Sequence, residues 1–284
     1  MSNIESRSPN PGRIAFIGGG NMARSLIGAL IRGGAEARSI AVAEPEPGFR
    51  SALARDFGVS THERNADAAR GADTVVLAVK PQVMREVCTE LGAALGDARA
   101  LIVSIAAGIR LDQIEGWIGK PLPIVRCMPN TPALIGAGAT GLIANARASA
   151  RERERAEALL GAAGRTAWIE QESLMDTVTA VSGSGPAYFF LLVEALESAA
   201  IAQGLAPETA RMLAAQTCLG AGRMLAESGE APATLRQRVT SPGGTTAAAL
   251  AAFENGGLRE LVATAVAVAT ERGRELSAGP TGST

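Results

Sequence analysis

Short apolar runs recur through the first part of the chain: RIAFIG from Arg13, SIAVAE from Ser39, DTVVLAV from Asp73, ALIVSIA from Ala100 and PIVRCM from Pro123. They are apolar at successive positions rather than at alternate ones, the pattern of strands buried on both faces of a parallel sheet. Stretches with helical spacing lie between several of them, among them NMARSLIGALIRGG from Asn21 and PQVMREVCTELGAAL from Pro81. Strand and helix alternating in this way predict a parallel sheet covered by helices on both faces. Weaker runs, GATGLIA from Gly138 and RTAWI from Arg165, extend the sheet.

Beyond about Gln171 the strand signals stop and helical spacing takes over. Helices are expected over 186–203 and 207–228, each entered by a proline and left at a glycine, Gly204 or Gly229. Proline just inside a helix start and glycine just past its end is the usual asymmetry. Shorter helices are expected near 232–239 and 245–254, and a last one over 258–276. The stretch AYFFLLVEALESAAIA from Ala187 is apolar nearly all round, and such a helix is buried on several sides. So small a helical region cannot bury it alone. A second copy of the chain is expected to cover it, giving a homodimer through the helices, with a larger assembly of dimers left open.

The first strand runs into IGGGNMARSLIGAL from Ile17, where Gly18, Gly20 and Ala23 fit G-x-G-x-x-G/A. Strand, glycine turn and helix follow in the order a dinucleotide site requires. Gly18 permits the tight turn, Gly20 lets backbone approach a pyrophosphate, and Ala23 lets helix and strand pack closely. The pyrophosphate then meets unpaired N–H groups at the positive end of a helix. The second strand ends at Glu44. An acid there bonds the ribose 2′-hydroxyl and favours NADH; Arg50, a few residues on, would instead suit a 2′-phosphate, and an ordinary loop carboxylate is the third reading. The choice between NADH and NADPH stays open. A later strand ends in Ala78, Val79, Lys80 and Pro81, at the carboxyl edge where ligands bind in open α/β sheets. Pro81 should hold Lys80 extended. The small residues of SIAAGI, which include Ala106, Ala107 and Gly108, would let a nicotinamide ring lie close to backbone, or serve packing alone. The expected fold class is α/β: a Rossmann-type parallel-sheet domain over 13–170, then an all-α substrate and dimerisation domain over 171–277. Short disordered tails are expected at 1–12 and 278–284.

Composition narrows the function. The chain has 284 residues, enough to bury roughly three quarters of its unfolded surface without disulfide or metal staples. Its net charge is −1, from 27 basic and 28 acidic side chains, without the basic excess of a general nucleic-acid or anionic-membrane binder. Cys88, Cys127 and Cys218 lie far apart with no CxxC spacing, and His62 is the lone histidine. No metal site is expected, and the thiols suit a reducing cytoplasm. His62, in the polar stretch STHERNAD, reads as a surface residue. No uninterrupted apolar segment reaches ~18 residues, and the polar N-terminus lacks the apolar core of a signal peptide, so neither a membrane span nor export is expected.

Three further motifs carry a resemblance: MPNTPALIGAG from Met128, AVSGSGPAYFF from Ala180 and VTSPGGTTAAALAAFENGG from Val239. Together with IGGGNMA they closely resemble the pyrroline-5-carboxylate reductase family, over almost the whole chain from about Arg13 to Leu276. The resemblance implies reduction of 1-pyrroline-5-carboxylate to L-proline with NADPH or NADH, the last step of proline synthesis. It also implies a Rossmann domain followed by a helical domain that interlocks in a dimer. By it, Ile17 to Met22 (Gly18, Gly19, Gly20 and Asn21 between them), Asn65, Ala78, Val79, Lys80, Pro81, Ala106, Ala107 and Gly108 line the cofactor. Thr179, Gly244, Thr245 and Thr246 lie at the substrate, with Ser241 and Gly243 in the same turn. Two positions depart from the family's pattern. Glu230-Ala231-Pro232 lacks the histidine often found there, and Glu44 is not what a strongly NADPH-preferring member carries.

The chemistry such an enzyme needs is modest. The N–H groups around Gly243, Gly244 and Thr245 begin a helix and can receive the substrate carboxylate, while Thr245 or Thr246 can cap the helix or bond the ligand. The same motif could also be a capped helix start and nothing more. A protonated imine accepts hydride readily, so placement substitutes for a strong acid. Thr179 is the expected hydroxyl partner of the imine N–H. Tyr188, the sole tyrosine, reads as core or interface. Two rival functions share parts of this pattern. A β-hydroxyacid dehydrogenase needs a base and places a lysine in its helical domain, whereas no lysine follows Lys120 here. A non-catalytic dinucleotide sensor would need no anion site at SPGGTT.

Overall fold

Among the described residues, eight strands form one sheet: β1 (Ile14–Ile17), β2 (Ile40–Ala43), β3 (Ser60–His62), β4 (Thr74–Leu77), β5 (Leu101–Ser104), β6 (Ile124–Met128), β7 (Gly138–Ala144) and β8 (Gly164–Trp168). The computed structural model describes residues 12–96 and 99–278; apart from Gly12 and Ala278, the tails expected at the two ends lie outside the described residues. In space the order is β3-β2-β1-β4-β5-β6-β7-β8. All neighbours are parallel except β6 and β7. β1 lies between β2 and β4, so the chain crosses to the opposite side of β1 after β3. That crossing opens a crevice at the carboxyl ends of the strands. Ile17 is level with Ala43 and Leu77, and Leu77 with Ser104. The residues that follow, Gly18, Glu44, Ala78 and Ile105, therefore form a row along that edge.

The helices of this half are α1 (Asn21–Arg32), α2 (Pro47–Phe57), α3 (Asn65–Ala69), α4 (Met84–Ala94), α5 (Leu111–Ile118) and α6 (Ala150–Gly161). Alternate strand residues go to opposite faces. Phe16, Val76, Val103 and Val125 pack with Leu26 and Ile27 of α1 and Leu159 and Leu160 of α6. Ile17, Leu77, Ile102 and Ile124 pack with Met84 and Leu91 of α4 and Ile114 of α5. This double cover is why the strands are apolar at consecutive positions, and each such side chain contributes about 1.5–3 kcal/mol of burial. Ala23 is fully buried in the first cluster, as the glycine fingerprint requires.

β3 has no apolar run behind it. It is a short edge strand, Ser-Thr-His, held by backbone pairing to β2, and it places His62 half-buried opposite Ala43.

The remaining helices are α7 (Met175–Val178), α8 (Gly185–Ala202), α9 (Pro207–Glu227), α10 (Pro232–Arg238), α11 (Thr245–Asn255) and α12 (Leu258–Ala278), with a π-type turn over Thr179–Gly183. Two compact units result: residues up to Gly183 with those from Ala269 onward, and Ser184–Val268. In the helical unit α8 packs on α9, and α9 on α10. Its buried apolar side chains are few, Ala210 and Leu235 among them. Phe190 of α8 is 67% exposed and Leu261 of α12 65%. By length and composition the helical stretch Glu172–Ala202 could cross a membrane, which the count of uninterrupted apolar residues did not anticipate. The helical pattern averages over Glu194 and Glu197, which break the run in sequence.

Candidate active site

The cofactor positions predicted from the sequence all fall in the sheet-bearing unit, and the carboxyl edge of the sheet gathers most of them. Gly18 adopts φ +99°, a conformation L side chains rarely take. A Cβ on it would sit 2.7 Å from the carbonyl oxygen of Ala78. Its N–H donates to the Ala43 carbonyl at 2.8 Å, and the Ala78 N–H donates to Ile17 at 2.8 Å. The ends of β1, β2 and β4 are thus stitched together around the glycine turn.

Gly20 differs. Its backbone is ordinary extended, φ −68° and ψ −177°, and it caps α1 with no side-chain bond. A Cβ there would meet nothing within 4 Å. The fold itself does not require glycine at this position. Exposed Gly20 and Asn21 leave the start of α1 open beside buried Gly18 and Gly19. This open cradle fits a pyrophosphate.

Glu44 turns toward the same loop. Its Oε2 accepts the Gly19 N–H at 2.9 Å and its Oε1 the Glu46 N–H at 3.1 Å. Arg50 turns the other way, donating to the carbonyls of Glu44 at 2.8 Å and Pro45 at 2.7 Å. Lys80 is extended, φ −64° and ψ 147°, as Pro81 demands, and exposed. Ala106 is buried while Ala107 is exposed. Gly108 has φ +74°, with Leu276 of α12 beside it. Asn65 opens α3 and donates to Glu90 at 2.6 Å.

Thr179 opens the π-type turn, half-buried, and its hydroxyl donates to the Met175 carbonyl at 2.9 Å. As a donor it is engaged within its own helix. Its lone pairs are left to accept an N–H. Ser184, the residue before α8, makes no side-chain cap.

Ser241, Gly243, Gly244, Thr245 and Thr246 belong to the helical unit. Gly243 takes φ +72°, the Gly244 N–H donates back to Ser241 at 3.0 Å, and Gly244 caps α11 with no side-chain bond. Neither threonine caps the helix: Thr245 and Thr246 are its first two residues. Among the described residues nothing accepts their N–H groups, so the helix start faces outward with donors to spare.

Two groups escaped the sequence reading. Asn130 of MPNTP is 8% exposed; it donates to the Ser182 carbonyl at 2.9 Å and accepts the Ala139 N–H at 2.9 Å. It thereby ties β7 to the turn that carries Thr179. Arg126 is buried in β6, its guanidinium 2.9 Å from Glu172 and 4.0 Å from Asp176. Glu172 also accepts the Leu111 N–H at 2.8 Å, and Asp176 the Ser277 hydroxyl at 3.1 Å. This network fastens the end of α12 beside the loop bearing Gly108. A lone arginine inside PIVRCM was the available signal. Among the described residues no cluster of His, Cys, Asp and Glu is placed to hold a metal. Burial pushes the Cys88 thiol up to about 12 and the Cys127 thiol further still, so neither is a nucleophile.

The chain also matches known proteins along most of its length. Residues 172–276 match a family model described as pyrroline-5-carboxylate reductase dimerisation, and residues 13–108 one described as NADP oxidoreductase coenzyme F420-dependent. A pyrroline-5-carboxylate reductase of Pseudomonas aeruginosa is 51% identical over 93% of this chain and 97% of its own. A solved pyrroline-5-carboxylate reductase from Coxiella burnetii superposes with a TM-score of 0.92 at 44% identity, covering 94% of this chain and 99% of that one. A Plasmodium falciparum pyrroline carboxylate reductase with NADP bound gives 0.81 at 28% identity, with the same coverage.

Proposed function

The chain belongs to the pyrroline-5-carboxylate reductase family, and from that premise we infer that it reduces 1-pyrroline-5-carboxylate to L-proline with hydride from NADPH or NADH. The observation that carries this is the 51% identity running through both units, over 93% of the chain. Gly18, Gly19, Gly20, Asn21 and Met22 hold the pyrophosphate, Glu44 and Asn65 flank the adenosine side, and Ala78 to Pro81 with Ala106 to Gly108 bound the nicotinamide side. A reduced nicotinamide held by these residues would supply the hydride for the imine carbon, and the imine nitrogen would keep the proton it already carries, so that the product is the amine of proline.

What the chain's own residues do is bind and orient. The donors at the start of α11 receive the substrate carboxylate, the positive end of the helix favouring its charge. The Thr179 oxygen accepts the iminium N–H while its own O–H donates to the Met175 carbonyl. That arrangement holds the cation without removing its proton, so no dedicated acid is needed. Asn130 and Met175 keep Thr179 in place.

The exposed apolar faces of α8, α11 and α12 are covered by a second copy of the chain, since a lone subunit leaves side chains such as Phe190 and Leu261 in water. The membrane-length stretch is this dimer face, and the enzyme is cytoplasmic. Neither nucleic acid nor lipid is a partner. Two measurements test the reading. Oxidation of reduced nicotinamide should depend on added 1-pyrroline-5-carboxylate and yield L-proline, and gel filtration at micromolar concentration should show no monomer. Cofactor binding without turnover would leave only a nucleotide sensor.

A further inference from the structure

If the glycine turn holds a dinucleotide, as proposed above, the end of β2 decides which one. Two carboxylates crowd that end. Glu44, half-buried, aims back at the turn through its 2.9 Å bond to Gly19. Glu46 caps α2: it accepts the N–H groups of Gly48 at 3.1 Å and Phe49 at 2.8 Å, and those bonds hold its carboxyl below the usual carboxylate range. The first N–H groups of α2 would be the natural seat for an extra phosphate at this edge. The chain has already filled them with its own anion. Arg50, the cation at hand, is spent on two backbone carbonyls and lies 4.0 Å from Glu63. Arg64 is exposed and stands further off, at the start of α3 beyond β3.

We propose that this chain selects NADH over NADPH, Glu44 accepting the adenosine ribose hydroxyl and Glu46 closing the start of α2 to a 2′-phosphate. A ribose hydroxyl donates to a carboxylate; a phosphate carrying about −1.5 to −2 charges is chiefly an acceptor and faces two like charges. Repulsion at this range and partial exposure weakens NADPH by about tenfold or more relative to NADH.

The test is binding rather than turnover: dissociation constants of NADH and NADPH from nucleotide fluorescence on the full-length protein without substrate. The wild type should favour NADH by about tenfold or more, and added salt should narrow the gap as the repulsion is screened. Glu44→Ser with Glu46→Ser should bring the ratio to about one or below; Glu44→Gln with Glu46→Gln, close in shape, should move it the same way if the serine pair folds poorly. Equal or tighter NADPH binding by the wild type overturns the proposal, as does a ratio unmoved in both pairs. Failure of the wild type to bind either nucleotide overturns the dinucleotide reading itself, a separate outcome.

Discussion

Gly18 and Gly20 sit two residues apart, and alanine at each should break different things. At Gly18 the substitution meets φ +99° and the Ala78 carbonyl oxygen 2.7 Å from the new Cβ. Left-handed backbone costs a residue with a Cβ about 1–2 kcal/mol, and overpacking adds about 1–3 kcal/mol. Gly18→Ala should therefore lose about 2–5 kcal/mol, which in a domain of this size lowers Tm by about 4–20 °C. At Gly20 the backbone is unstrained and the Cβ meets nothing within 4 Å. Replacing an N-cap glycine by alanine costs up to about 1 kcal/mol, and stiffening the unfolded chain returns about 0.4–1 kcal/mol. Stability should stay within about 1 kcal/mol of the parent. The methyl group would stand where a phosphate must approach backbone N–H. Loss of one such charge-assisted bond, worth about 1.5–3 kcal/mol, weakens binding by roughly ten- to a hundredfold. Calorimetry and a nucleotide fluorescence titration on both variants read the contrast. Normal nucleotide affinity in Gly20→Ala would refute the cradle, and an unshifted Tm in Gly18→Ala would refute the steric reasoning.

Other outcomes follow from the same contacts. Thr179→Val removes the acceptor for the iminium and should lower kcat at least about tenfold with nucleotide affinity unchanged, while Thr179→Ser should recover most of it; single-turnover kinetics separates the two. Asn130→Ala leaves the Ser182 carbonyl and the Ala139 N–H without partners, a loss of about 2–5 kcal/mol readable in chemical denaturation. Gly244→Val puts a branched side chain 3.2 Å from the Ser241 oxygen at the exposed helix start; KM for the imine should rise steeply while nucleotide affinity holds. Cys88 stays protonated below about pH 12 and Cys127 beyond that, so both should resist alkylation in the native protein at mildly alkaline pH and react only on unfolding.

The parallel sheet was legible because its central strands are buried on both faces, which leaves consecutive Val and Ile in the sequence. Even the weak runs at Gly138 and Arg165 became β7 and β8. β3 was not legible: Ser60, Thr61 and His62 owe their strand to backbone pairing with β2, which side chains do not encode. The π-type turn over 179–183 hid for a related reason. Nothing in SGSGP marks a turn of that kind; Asn130, far away in sequence, fixes it through a carbonyl. Glu44 was legible as an acid at the right strand end, but its actual partner, the Gly19 N–H, depends on the register of β1 against β2. Residues 241–246 showed their glycine turn and helix start plainly; that both threonines leave the cap to Gly244 emerged only from the backbone.

Everything proposed for the reaction rests on position replacing an acid. A crystal structure of the dimer with oxidised nucleotide and L-proline measures that directly. The account predicts the proline carboxylate on the N–H groups at the start of α11, its nitrogen within hydrogen-bond reach of the Thr179 hydroxyl, and its ring carbon roughly 3–3.5 Å from nicotinamide C4. Proline bound away from residues 241–246, or a carboxylic acid or ammonium group in contact with its nitrogen, would contradict it.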